Sequence, residues 1–142
     1  MLRFFLLSLL VLWQCSPNRH TEIYRFDHII VTKFPTNPPP AFPQSFFPEN
    51  VSFLSSSEFK TSHIHTKEAY LVIESTDSWE DIQKRIDLRA NQGDWKLIEK
   101  NANEVEVSYL LEGFIKKSLS IYLSKNGEKH QLRYYFKKHS SY

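Results

Sequence analysis

The chain has 142 residues, with 18 basic and 16 acidic side chains and a formal net charge of +2. This balance argues against a nucleic-acid-binding protein, because such proteins carry a clustered basic surface. The single cysteine excludes an intrachain disulfide, so the folded part of the chain would be held together by packing alone.

The first fourteen residues have the pattern of an export signal. Arg3 precedes an apolar run from Phe4 to Trp13 that only Ser8 interrupts. At ~1.5 Å per residue, a helix of this length spans about half of a ~30 Å hydrocarbon core. The run is therefore too short for a transmembrane helix, and its length and flanks are typical of a secretory signal.

The only cysteine follows this run directly. The segment Leu12-Trp13-Gln14-Cys15 resembles the lipobox of bacterial lipoproteins, in the relaxed form that is typical of spirochaetes. Leu12 matches the leucine of that motif, whereas Trp13 and Gln14 replace its usual small residues. An ordinary signal peptide with an incidental Cys15 and an uncleaved anchor are the alternatives.

The resemblance to lipoproteins implies how the protein is processed and where it resides. Signal peptidase II would cleave before Cys15, which would carry a diacylglyceryl thioether and an N-acyl chain. Two or more acyl chains form a stable anchor. The lipid bilayer, at the outer or inner membrane of a bacterial envelope, would then be the first partner, with the domain outside the cytosol. Residues 1–14 are thus predicted to be the signal peptide and residues 15–21 a lipidated tether.

Residues 22–48 are predicted to form an extended segment and a proline-rich linker. Glu22 to Phe34 is rich in β-branched and aromatic residues, which favours an extended structure, and its pairing with the main sheet is left open. Six of the seven prolines lie in residues 35–48, which excludes a helix or a central strand there. Three phenylalanines in the same stretch predict that part of it packs onto the domain: Phe42, Phe46 and Phe47.

Residues 49–139 are predicted to form an α+β domain. Val51–Leu54 and Ala69–Glu74 are strand candidates. Asp77, with Glu80 three residues later, has the spacing of a helix N-cap. One apolar helix face is expected from Trp79, Ile82, Ile86 and Ala90, and Gly93 is expected to end the helix.

Four further strand patterns follow, at Trp95–Lys100, Val105–Leu111, Ser118–Ser124 and Lys129–Lys137. With Asn126-Gly127 as a two-residue hairpin loop, Leu123 is predicted to face His130 and Leu119 to face Tyr134. The predicted fold is α+β, an antiparallel β-meander of about four to five strands with one helix packed on one face. Phe47 to Lys138 resembles small bacterial lipoprotein domains through the step Gly93-Asp94-Trp95, a resemblance that implies no defined activity.

Candidate metal ligands are His63 and His65, because residues i and i+2 share one face of a strand. Zinc would need further ligands, for which Glu58, Glu68 and His28 are candidates. A surface histidine pair on a polar strand is the competing interpretation. No nucleotide-binding or hydrolase motif is found in the sequence, so no cofactor and no catalytic residue are predicted.

Candidate partner-binding residues lie in the last two strands. Tyr122, Arg133 and Tyr135 are predicted on the sheet face opposite the helix, where exposed aromatic side chains mark a binding surface. The tract Arg133–His139 mixes basic and aromatic residues, which favours either contact with anionic lipid headgroups or a last strand with solvated lysines.

The sequence thus predicts a membrane-anchored envelope lipoprotein with a non-enzymatic binding or structural role, and with an envelope protein as its candidate partner. The alternative is a small envelope enzyme or metal-binding protein that uses His63 and His65. These two hypotheses differ in whether the purified chain holds a metal ion.

Overall fold

A computed structural model of the chain describes residues 19–61 and 65–139. Within these ranges, eight strands form one antiparallel sheet in the order β1-β2-β3-β4-β8-β7-β6-β5. A helix, α1 (Trp79–Arg89), lies between β4 and β5, and a short 3₁₀ helix (Gln44–Phe46) precedes β3. The strands are β1 (Glu22–Arg25), β2 (Ile29–Lys33), β3 (Val51–Thr61), β4 (His65–Ser75), β5 (Trp95–Ala102), β6 (Glu106–Gly113), β7 (Lys117–Asn126) and β8 (Lys129–Lys138).

The predicted fold class is therefore wrong. The described residues form a mainly-β fold built on one eight-stranded sheet, not an α+β fold of four to five strands. The strands that the sequence did not predict lie at one side of the sheet, where few side chains are buried. Every residue of β1 is exposed, so β1 lacks the apolar alternation from which a half-buried strand is recognised.

Two meanders make up the sheet. β1 to β4 pair in chain order, as do β5 to β8, and the meanders join where β4 pairs with β8. Because β4 is central and β5 is at the far edge, α1 carries the chain across one face of the sheet. The predicted positions of α1 and of the four last strands agree with the observed elements to within a few residues.

The hydrophobic core lies between the sheet and α1. Alternate residues of the central strands are fully buried on this face, and Ile82 and Ile86 of α1 are buried against them. Burial of one such aliphatic side chain contributes about 1.5–3 kcal/mol. The strand residues of this layer are Ala69, Leu71, Ile73, Val107, Tyr109, Leu111, Leu119, Ile121, Leu123, Leu132, Tyr134 and Phe136.

The proline-rich segment is part of the same core. Phe42, Phe46 and Phe47 are all buried, as their sequence context predicted. The Tyr134 hydroxyl donates a hydrogen bond to the Phe46 carbonyl at 3.0 Å, and the rings of Phe47 and Tyr134 lie 5.1 Å apart, edge to face. β2 also pairs with β3. Both parts of residues 22–48, the strands and the proline-rich segment, therefore pack against the residues that follow them.

The predicted register of the β7–β8 hairpin is wrong by two residues. Leu123 faces Leu132, not His130, and Leu119 faces Phe136, not Tyr134. The loop is Gly127-Glu128, because Asn126 pairs with Lys129 as the last residue of β7. A shift of two residues leaves every side chain on its original face, so apolar matching could not distinguish the two registers.

The start of α1 also differs from the prediction. Ser78 is the N-cap, and its hydroxyl accepts a hydrogen bond from the Asp81 backbone N–H at 3.1 Å. Asp77 instead binds the segment before β3, through the Glu49 backbone N–H at 2.7 Å and the Asn50 side-chain amide at 2.6 Å. The carboxylate thus joins two distant parts of the chain rather than capping the helix.

Candidate functional site

The sheet face opposite α1 carries a group of aromatic and basic side chains, which we call the outer tyrosine patch: Tyr70 of β4, Tyr122 of β7, and Arg133 and Tyr135 of β8. Their neighbours along each strand point into the core, so strand alternation directs these four side chains to the other face. Both α1 and the buried phenylalanines of the proline-rich segment pack against the opposite side.

Direct cross-strand pairing brings these side chains into contact. Tyr70 is the cross-strand partner of Tyr135, and their rings stack with centroids 4.5 Å apart and planes 22° apart. Tyr122 is the partner of Arg133, whose guanidinium carbon lies 5.8 Å from the centre of the Tyr122 ring. Both pairs are therefore held in place by the sheet backbone.

The patch is accessible to solvent and combines three phenol rings with one guanidinium. Tyr70 is 52% exposed and Tyr122 is 46% exposed, whereas Tyr135 is half-buried. Burial raises the pKa of Tyr135 to about 12, with further contributions from the Glu68 carboxylate and from Tyr70. Its phenol therefore remains a neutral hydrogen-bond donor throughout the physiological pH range.

An open groove of about 300 Å³ adjoins the patch. Asn101, Ser108, Tyr122 and Arg133 line it, and they lie in one row across β5, β6, β7 and β8. This row combines an amide, a hydroxyl, an aromatic ring and a guanidinium. Such a set can stack on a flat group and donate hydrogen bonds to an acceptor.

The sequence-predicted partner residues come together as expected, with one change of neighbour. Tyr122, Arg133 and Tyr135 share the outer face, but Tyr122 faces Arg133 and not Gln131, its partner in the predicted register. Tyr70 was not predicted, since it lies in the continuous apolar run Ala69–Glu74. Its position one residue from Ala69 and Leu71, both fully buried, places it on the outer face.

The candidate metal ligands are only partly within the described residues. His63 lies outside them, and the backbone of His65 pairs with Thr61 at the start of β4. Two of the suggested additional ligands lie on opposite faces of the sheet: Glu58 is paired with buried Ala69, and Glu68 with Phe59. In residues 19–61 and 65–139, no three His, Cys, Asp or Glu side chains are grouped as a metal site requires.

Cys15 and the predicted signal peptide also lie outside the described residues. In the part that is described, α1 is too short and too polar to cross a membrane, and no other helix could do so. In comparisons of the sequence, no protein-family model and no curated protein matches this chain.

Proposed function

We propose that the protein is a lipid-anchored lipoprotein of the bacterial envelope that binds a partner through the outer tyrosine patch and has no enzymatic role. The stacked Tyr70–Tyr135 pair beside the Tyr122–Arg133 pair is the observation that carries this proposal. Tyrosine and arginine are the residue types enriched at binding hot spots, where they contribute most of the affinity.

Binding through the patch should cost little side-chain conformational entropy, because the sheet already restrains the side chains. Each tyrosine or arginine of the patch lies on a strand with neighbours on both sides, and its cross-strand partner already restrains it. Immobilising a flexible side chain on binding costs about 0.5–1.5 kcal/mol. A patch that is already restrained avoids part of this cost, so a larger share of the contact energy becomes affinity.

The proposed membrane anchor is supported by the lipobox-like sequence Leu12–Cys15. At ~3.6 Å per extended residue, the tether of residues 15–21 reaches at most about 25 Å. Acylation of Cys15 would therefore hold the sheet close to the bilayer surface, where envelope proteins are concentrated.

Metabolic labelling tests the anchor. In cells fed a fatty-acid analogue, the wild-type chain should take up the label and the Cys15→Ala variant should not. Ser16→Ala, a change next to the proposed site, is the matched control and should be labelled like wild type. Equal labelling of Cys15→Ala and wild type, or none of either, would overturn the lipoprotein proposal.

Cross-linking in intact cells tests the patch. A photoreactive residue at position 122 should capture an envelope protein, and Arg133→Ala should reduce this product severalfold. The same probe at position 24 is the control, because Tyr24 is 44% exposed but lies on the edge strand β1. Equal capture from both positions would contradict a binding site at the patch.

The metal content of the purified chain tests the alternative function. Stoichiometric zinc that is lost in His63→Ala would favour the metal-binding alternative instead.

A further inference from the structure

The turn between β6 and β7 carries the two most exposed large apolar side chains of the described residues. Phe114 is 72% exposed and Ile115 is 79% exposed. They follow Gly113, which pairs with Lys117 at the end of the hairpin. The two side chains therefore lie beyond the last paired residues, at the tip of the sheet.

The β6–β7 turn places two non-glycine residues in the left-handed region of the backbone. Ile115 has φ 62° and Lys116 has φ 47°, which places both in the left-handed region. Hairpin turns normally have Asn or Gly at such positions, and a β-branched residue there is an outlier. Asparagine or glycine would adopt this conformation with less strain and would expose no apolar surface, so the turn by itself does not account for Ile115.

Basic side chains surround the apolar tip. Lys116 and Lys117 follow Ile115, and Lys138 lies directly opposite Lys117, an arrangement of like charges that destabilises a sheet. None of the ion pairs among residues 19–61 and 65–139 involves these three lysines. Two carboxylates adjoin the tip, Glu112 of β6 and Asp94 before β5, so the lysines leave an excess of positive charge.

The tip is also fixed to the rest of the sheet. The Phe114 backbone N–H donates to the Asp94 carbonyl at 3.0 Å, and the His139 N–H donates to the Lys116 carbonyl at 2.7 Å. Lys117 Nζ lies 4.8 Å from the centre of the Trp95 ring. A contact made by this tip would therefore require little additional ordering of the loop.

We propose that the β6–β7 tip docks on an anionic lipid surface, with Phe114 and Ile115 inserted among the lipids and Lys116, Lys117 and Lys138 at the headgroups. Apolar side chains gain by entering the boundary between headgroups and acyl chains, and lysines nearby are attracted to anionic lipids. This inference is independent of Cys15 acylation and of the outer tyrosine patch, because it uses neither set of residues.

A depth-sensitive fluorophore tests the proposal in the full-length chain. In a Cys15→Ser background, Ile115→Cys carries the only thiol and is labelled with an environment-sensitive dye. With vesicles that contain phosphatidylglycerol, its emission should shift to shorter wavelength, and a quencher within the acyl chains should reduce it. Vesicles of phosphatidylcholine alone should give a smaller shift, and Lys116→Glu with Lys138→Glu should abolish most of it.

Val105→Cys is the matched control. Val105 is 57% exposed and lies in the β5–β6 turn, at the opposite end of the sheet, so its label should not shift. The docking proposal would be overturned by an unchanged signal at position 115, by equal shifts at both positions, or by insertion that is insensitive to lipid charge and to both lysines. A shift that rises with protein concentration without vesicles would assign the tip to self-association and would also overturn it.

Discussion

At the scale of single residues, Asp77 shows how one side chain joins two parts of the fold. Burial by itself would raise the pKa of its carboxyl. Hydrogen bonds from the Asn50 side chain and from the Asn50 and Glu49 backbone, together with the nearby Arg85 guanidinium, outweigh that effect and lower the pKa below its usual value. Arg85 also pairs with Glu49, so α1 and the entry to β3 are linked twice.

The Asp77→Asn substitution should destabilise the protein by about 1 kcal/mol at pH 7, because it weakens hydrogen bonds to a charged acceptor at a partly solvated site. A carboxyl whose folded pKa is lowered stabilises the fold above its unfolded value near 3.9, and this contribution is lost as the pH falls through the folded pKa. The difference between variant and wild type should therefore shrink below about pH 4. Urea unfolding at several pH values measures it.

Asp94→Asn is the control for this prediction, since it makes the same change at an exposed carboxylate in the turn before β5. It should change the free energy of unfolding by less than about 0.5 kcal/mol. A cost for Asp77→Asn that stays constant from pH 7 to pH 3 would show that the carboxylate charge is not what joins α1 to β3.

At the scale of elements, the β7–β8 hairpin shows what determines a register. The positive φ falls on Gly127 and not on Asn126 or Glu128, so glycine occupies the first of the two loop positions. Hairpins of the Asn-Gly type instead need a positive φ at both loop residues. Glycine at the first position therefore moves the loop by one residue and the pairing by two, without moving any side chain to the other face.

This hairpin predicts different costs for two neighbouring alanine substitutions. Gly127→Ala should lower the free energy of unfolding by at least about 1 kcal/mol, because φ is +64° and alanine avoids that region. Nothing lies within 4 Å of the added Cβ, so the cost is that of the backbone alone. Asn126→Ala, at a paired strand position, should cost little. Similar losses for both variants in urea unfolding would instead favour the Asn126-Gly127 loop.

At the scale of the whole molecule, stability should be uneven across the sheet. β4, β7 and β8 lie inside the sheet and carry many of the fully buried side chains, whereas β1 is an edge strand with every residue exposed. Opening of a segment with few buried contacts needs less free energy than global unfolding. The start of β3, the part of β4 from Ala69 to Ile73 and the proline-rich segment belong to the well-packed part, since all three contribute to the core.

Hydrogen exchange should reveal this gradient. Backbone amides of β1 are expected to exchange by local opening, well before those around Leu71, Ile121 and Leu132, which are fully buried and should require global unfolding. The other edge strand, β5, is the internal comparison, because Trp95 and Leu97 pack against the core and should slow exchange at its start. Equal protection of β1 and β8 would contradict this picture.

The sequence by itself determined the position of α1, the four last strands and the face on which Tyr122, Arg133 and Tyr135 lie. Each of these follows from the local periodicity of apolar residues, because burial of one face acts on neighbouring positions in the chain. The burial of Phe42, Phe46 and Phe47 was predictable for a similar reason, since three large apolar rings in a short segment favour packing. The lipid anchor at Cys15 stays a prediction from sequence alone.

Only the tertiary structure decided the number of strands, the register of β7 with β8, the partners of Asp77, and the exposure of Phe114 and Ile115. β1 and β2 are held by hydrogen bonds to a neighbouring strand and bury few side chains, so the apolar residues of the segment do not show how it pairs. Registers that differ by two residues have the same pattern of faces, so the backbone of Gly127 selects between them. The physical reason is common to all four features: each depends on residues that become neighbours only when the chain has folded.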